Sequence, residues 1–407
     1  MSYLGEFRSN WRALAAAGLG LGGGAALHIY SLSVFAPPLL QEFGWSKAQF
    51  ALVGLIGMLT LVTVPVAGRL ADSFGVRRTA AFGVIGVPLC FVAYSMMRGS
   101  FTEFMAITIA LTAIGATTTS SVYSRLVAER FVKARGLALA VVVCGPAGVS
   151  ALGIPLLTYV NDHFGWRAGY QSVAAFSLCL GLLALAMMPR PVATGRSAAR
   201  VPGRILHDYR QVAGRSAFWV IVAAMLLCNL AAALPASHMK LLLLDKGASS
   251  AVASVIISSY STGVIIGRFA CGLSLDRFPP HIVAAIAMGL PAIGLFILGS
   301  PLDATVALGA AVLLLGLSQG AEGDLAAYLV MRFFGIQVFS STLGLVTAAI
   351  GSASAIGALV MGATLKVTDN FAIYLYICTA ATFVGSLLFM LLGRPPEKEP
   401  VLAPQGA

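Results

Sequence analysis

The sequence predicts an all-α membrane protein of twelve spanning helices, arranged as two pseudo-symmetric bundles of six. Three observations carry this. The 407 residues are 58% hydrophobic and only 10% charged, with a mean hydropathy of +0.90. The apolar residues come in runs long enough to cross a bilayer, which takes about 20 residues of helix. A short motif also recurs half a chain apart. A soluble domain of this length carries far more charge, so lipid is the solvent for most of this surface.

The runs lie near 12–38, 48–70, 77–97, 104–128, 136–161 and 168–189, then 216–243, 250–275, 281–300, 304–331, 339–366 and 371–393. The eleventh, rich in Gly and Ser, is expected to be shorter than the rest. The first run is too long for a signal-peptide core and lacks a cleavage site, so it is read as the first span. Between the blocks, Arg190, Arg196, Arg200, Arg204, Arg210 and Arg215 alternate with Pro191, Pro202 and small residues. The expected organisation is a six-helix bundle over 1–190, a basic cytoplasmic linker over 191–215, and a second six-helix bundle over 216–407.

The net charge of +11 is spread through short loops and forms no basic stripe, which argues against nucleic acid. Its distribution sets the orientation. With a cytoplasmic N-terminus, the inner side takes Arg8, Arg12, Arg69, Arg77, Arg78, Arg130, Lys133, Arg135, the linker arginines, Arg277, Arg332, Arg394 and Lys398. The outer side keeps Lys47, Arg98, Arg167, Lys240, Lys246 and Lys366. Both termini are therefore expected in the cytoplasm, in the plasma (inner) membrane. The six cysteines each fall inside an apolar run with no CxxC pair, and read as packing residues, neither disulfides nor a metal site.

The recurring motif is Gly68-Arg69-Leu70-Ala71-Asp72-Ser73-Phe74, which ends span 2. Its counterpart is Gly272-Leu273-Ser274-Leu275-Asp276-Arg277-Phe278, which ends span 8, at an offset of 204 positions. Parallel halves of this kind suit a transporter with its substrate near the bilayer midplane.

Ionisable side chains at bilayer depth are expensive and mark function. Arg268 precedes Asp276, the expected inner surface, by two helical turns, which puts it roughly 12 Å deep. A guanidinium there needs an anion, and its planar fork fits a carboxylate with two parallel hydrogen bonds. The alternative is a structural ion pair with an acid of helix 10. That helix offers Glu322 and Asp324, which, two residues apart, point about 200° from one another. Both are candidate proton carriers, since a carboxylate taken from water is costly and a proton relieves the cost. The alternative is that one pairs with Arg268 or caps a neighbouring helix without titrating.

His28 in span 1 and His238 in span 7 titrate in the physiological range and can bond a substrate oxygen. His28 sits in a Gly- and Ser-rich stretch and has a packing role as its alternative, with proton coupling as the functional one. Tyr123, with Ser121 beside it, and Tyr30 offer hydroxyls to a carboxylate; a satisfied packing role is the equal alternative for a tyrosine in a bundle.

Several stretches resemble a known family. Gly68 to Phe74, continued by Gly75-Val76-Arg77-Arg78, resembles the loop signature of the major facilitator superfamily. The resemblance implies the major facilitator fold and a cytoplasmic gate of Asp72, Arg77, Asp276 and Arg277. Leu39-Leu40-Gln41-Glu42-Phe43-Gly44-Trp45-Ser46, Phe131-Val132-Lys133-Ala134-Arg135-Gly136-Leu137-Ala138 and Phe164-Gly165-Trp166-Arg167 resemble the monocarboxylate-porter family, with its bacterial branch and the oxalate–formate exchangers. Ile266-Gly267-Arg268 stands where that family has its carboxylate-binding arginine, and His238 where bacterial members place a substrate-contacting histidine. The chain departs from the pattern in three places. Val264 replaces the acid that mammalian members carry four positions before the arginine. The first span has Gly20-Leu21-Gly22-Gly23-Gly24 without a preceding acid. Lys366 lies only at the end of span 11, where the oxalate exchangers have a deep lysine.

No phosphate loop, HExxH or nucleophile elbow is present, so neither an enzyme nor an ATP-driven pump is expected. The reading is a monomeric secondary transporter of small organic monocarboxylates such as lactate or pyruvate. It is expected to be proton-coupled, to work by alternating access and to need no cofactor. Arg268, His238, Tyr123, Tyr30 and Ser121 would hold the substrate. An exporter or exchanger of larger organic anions or amphiphiles is the alternative, favoured weakly by Gly145-Pro146 in span 5. A transporter-like carboxylate receptor is the alternative of another class.

Overall fold

The computed structural model describes residues 3–128, 130–131, 135–189, 212–275, 277–334 and 339–393. Most of the expected linker, at 190–211, and Asp276 lie outside the described residues.

All regular elements among these residues are helical. Eleven are long and apolar enough to cross a bilayer, and one of them, the 50-residue Ala138–Met187, supplies two spans. It is broken at Gly165, whose φ of 81° is a conformation open to a residue without a Cβ. The spans are α1 (Gly5–Phe43), α2 (Lys47–Gly68), α3 (Val76–Ser95), α4 (Phe101–Tyr123), α5 (138–164) and α6 (166–187). They continue with α7 (Ser216–Asp245), α8 (Ser250–Leu275), α9 (Pro280–Gly299), α10 (Thr305–Phe334), α11 (Thr342–Thr368) and α12 (Ala372–Leu392). Span 11 is not short: its helix runs unbroken for 30 residues, Phe339–Thr368. Gly and Ser weaken a helix in water, but in lipid a broken backbone hydrogen bond costs more than poor propensity.

Contacts group the chain into two compact units. The first contains 1–193, 233–262 and 358–369. Here α1 is interrupted after Gly22 and resumes at Ala26, at a run of three glycines that favours no helix. The freed Ala25 N–H donates to Thr118 Oγ1 at 2.9 Å. The acceptor itself sits in an interruption of α4, where Ala116–Thr118 is a 3-10 turn and Thr119 is extended. Two broken helices thus satisfy each other, as lipid requires.

Two family-like stretches far apart in sequence meet in the same unit. Trp166 Nε1 and Arg167 Nη1 both donate to the Glu42 carboxylate, the latter at 2.8 Å, and the Arg167 guanidinium lies 4.2 Å over the Trp166 ring. Gly44 ends α1 in the left-handed conformation (φ 67°), Trp45 Nε1 donates to Gly99 O at 3.1 Å, and Ser46 with Gln49 caps the start of α2. Phe35, Tyr170 and Tyr94 stack in series, with ring centroids 3.7 and 4.9 Å apart.

The second unit contains 194–232, 263–357 and 370–407. Its apolar core joins Ile221 and Met225 of α7, Met288 of α9, and Leu325 and Leu329 of α10. The C-terminal half of α8 crosses α10 at backbone distance. A Cβ built on Gly267 would lie 2.0 Å from the Leu317 carbonyl oxygen, and one on Gly320 2.1 Å from that of Val264. Only glycine allows so close a crossing.

Candidate functional site

The α8–α10 crossing sets Arg268, one residue beyond Gly267, beside Asp324, one turn beyond Gly320. Arg268 Nη1 lies 3.2 Å from Asp324 Oδ1. The arginine side chain is 13% exposed and the aspartate 38%. Arg268 Nε is buried and has no hydrogen-bond partner among the described residues. Glu322 is 8% exposed and accepts from the Gln319 amide at 3.1 Å. The two acids of α10 thus have different partners, as their angular separation on a helix dictates.

The remaining substrate and proton candidates lie in the first unit. His28 is buried with its ring stacked on Tyr94, centroids 5.7 Å apart. Tyr123 is fully buried, its ring against Gly20, and its hydroxyl has no partner among the described residues. Ser121 is exposed and its Oγ lies 2.8 Å from Thr119 Oγ1, while Tyr30 is half-buried.

His238 is fully buried in a π-helical turn, Leu234–His238, where Pro235 removes a backbone donor. Its Nδ1 contacts Ser237 Oγ at 2.7 Å, and its Nε2 lies 2.9 Å from the Lys47 carbonyl oxygen. Lys47 Nζ in turn pairs with Asp245 at 2.7 Å. Both ring nitrogens of His238 are therefore spent on protein atoms here.

Of the residues expected at a gate, Asp72 lies on the helix Thr60–Phe74. Arg77 is exposed and donates to Met188 O at 3.3 Å, and Arg277 is exposed past the end of α8. The structure brings together Arg268 and Asp324; His28, Arg77, Ser121, His238 and Glu322 have other partners, and the Tyr123 hydroxyl has none among the described residues. No cluster of three or more metal-ligating side chains occurs among the described residues.

Two features were missed in the sequence. Lys240, assigned to the outer loops, is 2% exposed within α7 and has Asp162 at 4.0 Å. The Gly263/Gly267 and Gly316/Gly320 pairs, each four apart, are the small-residue spacing of a tight helix crossing, and would have placed α8 against α10.

The apolar helices among the described residues, with a charge pair inside them, describe an integral membrane protein of the solute-transporter class. The sequence profile of the Major Facilitator Superfamily matches residues 14–335 and again 227–407. The chain belongs to that superfamily, and is a transporter and not an enzyme. It is 27% identical over 374 residues to Monocarboxylate transporter 4 of Rattus norvegicus, covering 89% of this chain and 79% of the relative. It is also 27% identical over 303 residues to a gallate transporter of Pseudomonas putida, covering 66% of each. Among solved structures, a point mutant of the nucleoside transporter NupG superposes with a TM-score of 0.77 at 14% identity, over 94% of this chain and 100% of that one. At that identity the likeness is one of fold.

Proposed function

We propose that this chain is a secondary active transporter of small organic monocarboxylates, lactate- or pyruvate-like, coupled to protons and working by alternating access. The observation that carries the reading is Arg268. It is a largely buried guanidinium on a membrane helix, held by one long contact to Asp324, with a buried Nε–H that has no partner among the described residues. Such a group is costly in a bilayer unless it serves an anion, and a carboxylate is the anion its fork fits best. The relatives named as monocarboxylate and gallate transporters support the same chemistry.

Tyr123, with a buried hydroxyl free of partners among the described residues, is assigned to the substrate, together with Tyr30 and Ser121. His238 reaches substrate only in a conformation in which Lys47 has let it go. Asp72, Arg77, Asp276 and Arg277 form the cytoplasmic gate. The chain sits in the plasma (inner) membrane as a monomer with both termini in the cytoplasm, as the lysine and arginine bias supports.

The test is uptake of radiolabelled lactate into proteoliposomes, with and without an inward proton gradient, for wild type and Arg268→Ala, with pyruvate and gallate as competitors. Gradient-driven uptake that is lost in Arg268→Ala is the expected result. Uptake that persists in Arg268→Ala sinks the assignment and favours the exporter of larger organic anions.

A further inference from the structure

We propose that Asp324 is the residue that carries the coupled proton, and that protonating it releases Arg268 to the carboxylate of the cargo. The inference rests on the monocarboxylate reading and names the proton site within it.

The membrane stretches of the second unit hold few charges. Residues 216–228, 282–299, 339–357 and 370–393 contain no acidic or basic side chain. Arg268 on α8 and Glu322 and Asp324 on α10 are the ionisable groups at depth; Arg332 lies at the end of its helix. The titratable or charged groups that face Asp324 among the described residues are Arg268 and the Cys271 thiol, both on α8. No other described residue is bonded to the guanidinium.

Charge counting then separates the two acids. Empty, the Arg268–Asp324 pair sums to zero, and an uncharged site crosses the bilayer interior at least cost. A bound carboxylate leaves the site with one uncompensated negative charge, which opposes reorientation. One proton taken from water onto an Asp324 oxygen restores neutrality, and the same proton leaves to water on the other side when the carboxylate departs. The proton also removes the counter-charge that holds Arg268 Nη1, and the resulting carboxyl O–H can donate to the incoming carboxylate. The Asp324 side chain is 38% exposed. A proton on Glu322, 8% exposed and bonded to the Gln319 amide, would leave the guanidinium as it was.

The experiment is calorimetric titration of the purified full-length protein in detergent with lactate, pyruvate and gallate. It is run in two buffers of different ionisation enthalpy, which gives the protons taken up per acid bound. Wild type should take up about one proton per acid, with affinity falling about tenfold per pH unit on the alkaline side. Asp324→Asn, which mimics the protonated state, should bind with no proton uptake and a flat pH profile, while Glu322→Gln should still take up the proton. Should Asp324→Asn fail to fold, Asp324→Glu serves instead: it keeps a carboxyl in a new position and should move the pH midpoint of binding. Val264 is one turn before Arg268 on α8, so Val264→Asp in the Asp324→Asn background supplies a carboxylate at the i, i+4 spacing and should return the proton uptake. Proton uptake that survives in Asp324→Asn, or an unmoved midpoint in Asp324→Glu, overturns the assignment while the monocarboxylate reading stands. No binding of any of the three acids by wild type overturns that reading, and this inference with it.

Discussion

Gly267→Ala probes the α8–α10 crossing and the ion pair it supports at once. The added Cβ would lie 2.0 Å from Leu317 O and 2.7 Å from Leu317 C, and the obstacle is backbone, which has no rotamer to move. Bringing that contact back to a tolerable separation requires the two helices to part by about 1 Å. Overpacking of this kind costs about 1–3 kcal/mol. The same shift carries Arg268 Nη1, now 3.2 Å from Asp324, beyond the hydrogen-bond limit of about 3.5 Å. Gly272 of the same helix and Gly323 of the partner helix have nothing within 4 Å of a built Cβ, so alanine there meets no steric cost. Alanine gains up to about 1 kcal/mol of helix propensity at any of these sites, so the quantity to compare is the difference between Gly267→Ala and Gly272→Ala. Thermal unfolding in detergent and lactate titration of the three variants read it out. Equal stability and equal lactate affinity in Gly267→Ala and Gly272→Ala would refute the reasoning, because the crossing would then be slack.

Other outcomes follow from contacts in the first unit. Trp166→Phe loses the buried indole donor to Glu42 and should cost about 1 kcal/mol, whereas Arg167→Ala removes a half-exposed ion pair worth less than that; melting curves should rank them in that order. His238→Phe leaves the Lys47 carbonyl and the Ser237 hydroxyl without their ring partner and should cost about 1–3 kcal/mol, measured the same way. Asp245→Asn, at a largely solvent-screened pair with Lys47, should lower stability by at most about 1 kcal/mol and less still in high salt. Thr118→Val strands the Ala25 N–H in an apolar interior and should raise hydrogen exchange at the α1 interruption by an amount matching about 1 kcal/mol or more.

The helices were legible because lipid imposes a length and composition that a one-dimensional reading can measure; the twelve apolar runs map onto the spans with ends displaced by a few residues. The displaced ends have physical causes. The first helix begins well before residue 12, since Glu6 is buried in an element whose apolar run starts later. The interruptions of α1, α4 and α7 were not read. The glycines before Ala25 and the proline at 235 signal weakness in a helix, but only a partner such as Thr118 decides whether the backbone lets go. Arg268 stood out in the sequence as a charge inside an apolar run, and an acid of helix 10 was visible as its possible partner. Which acid it would be depended on the rotation of α10 about its axis, fixed by Gly320 against Val264. His238 was visible as a polar residue in an apolar run. Its bond to the Lys47 backbone, 191 positions away, leaves no local trace in sequence.

The glycine crossing has a consequence for how variation in this chain will be interpreted. Positions 263, 267 and 320 admit no side chain, so a saturation-mutagenesis map should show them as intolerant as Arg268 itself. Such a map, taken alone, would enlarge the apparent binding site by a turn of helix in each direction. The distinction lies in the profile of each column. A residue that holds an anion, as proposed for Arg268, rejects substitutions according to chemistry, with lysine standing apart from leucine. A crossing residue rejects them by volume, alanine being the mildest and every larger residue progressively worse, whatever its charge.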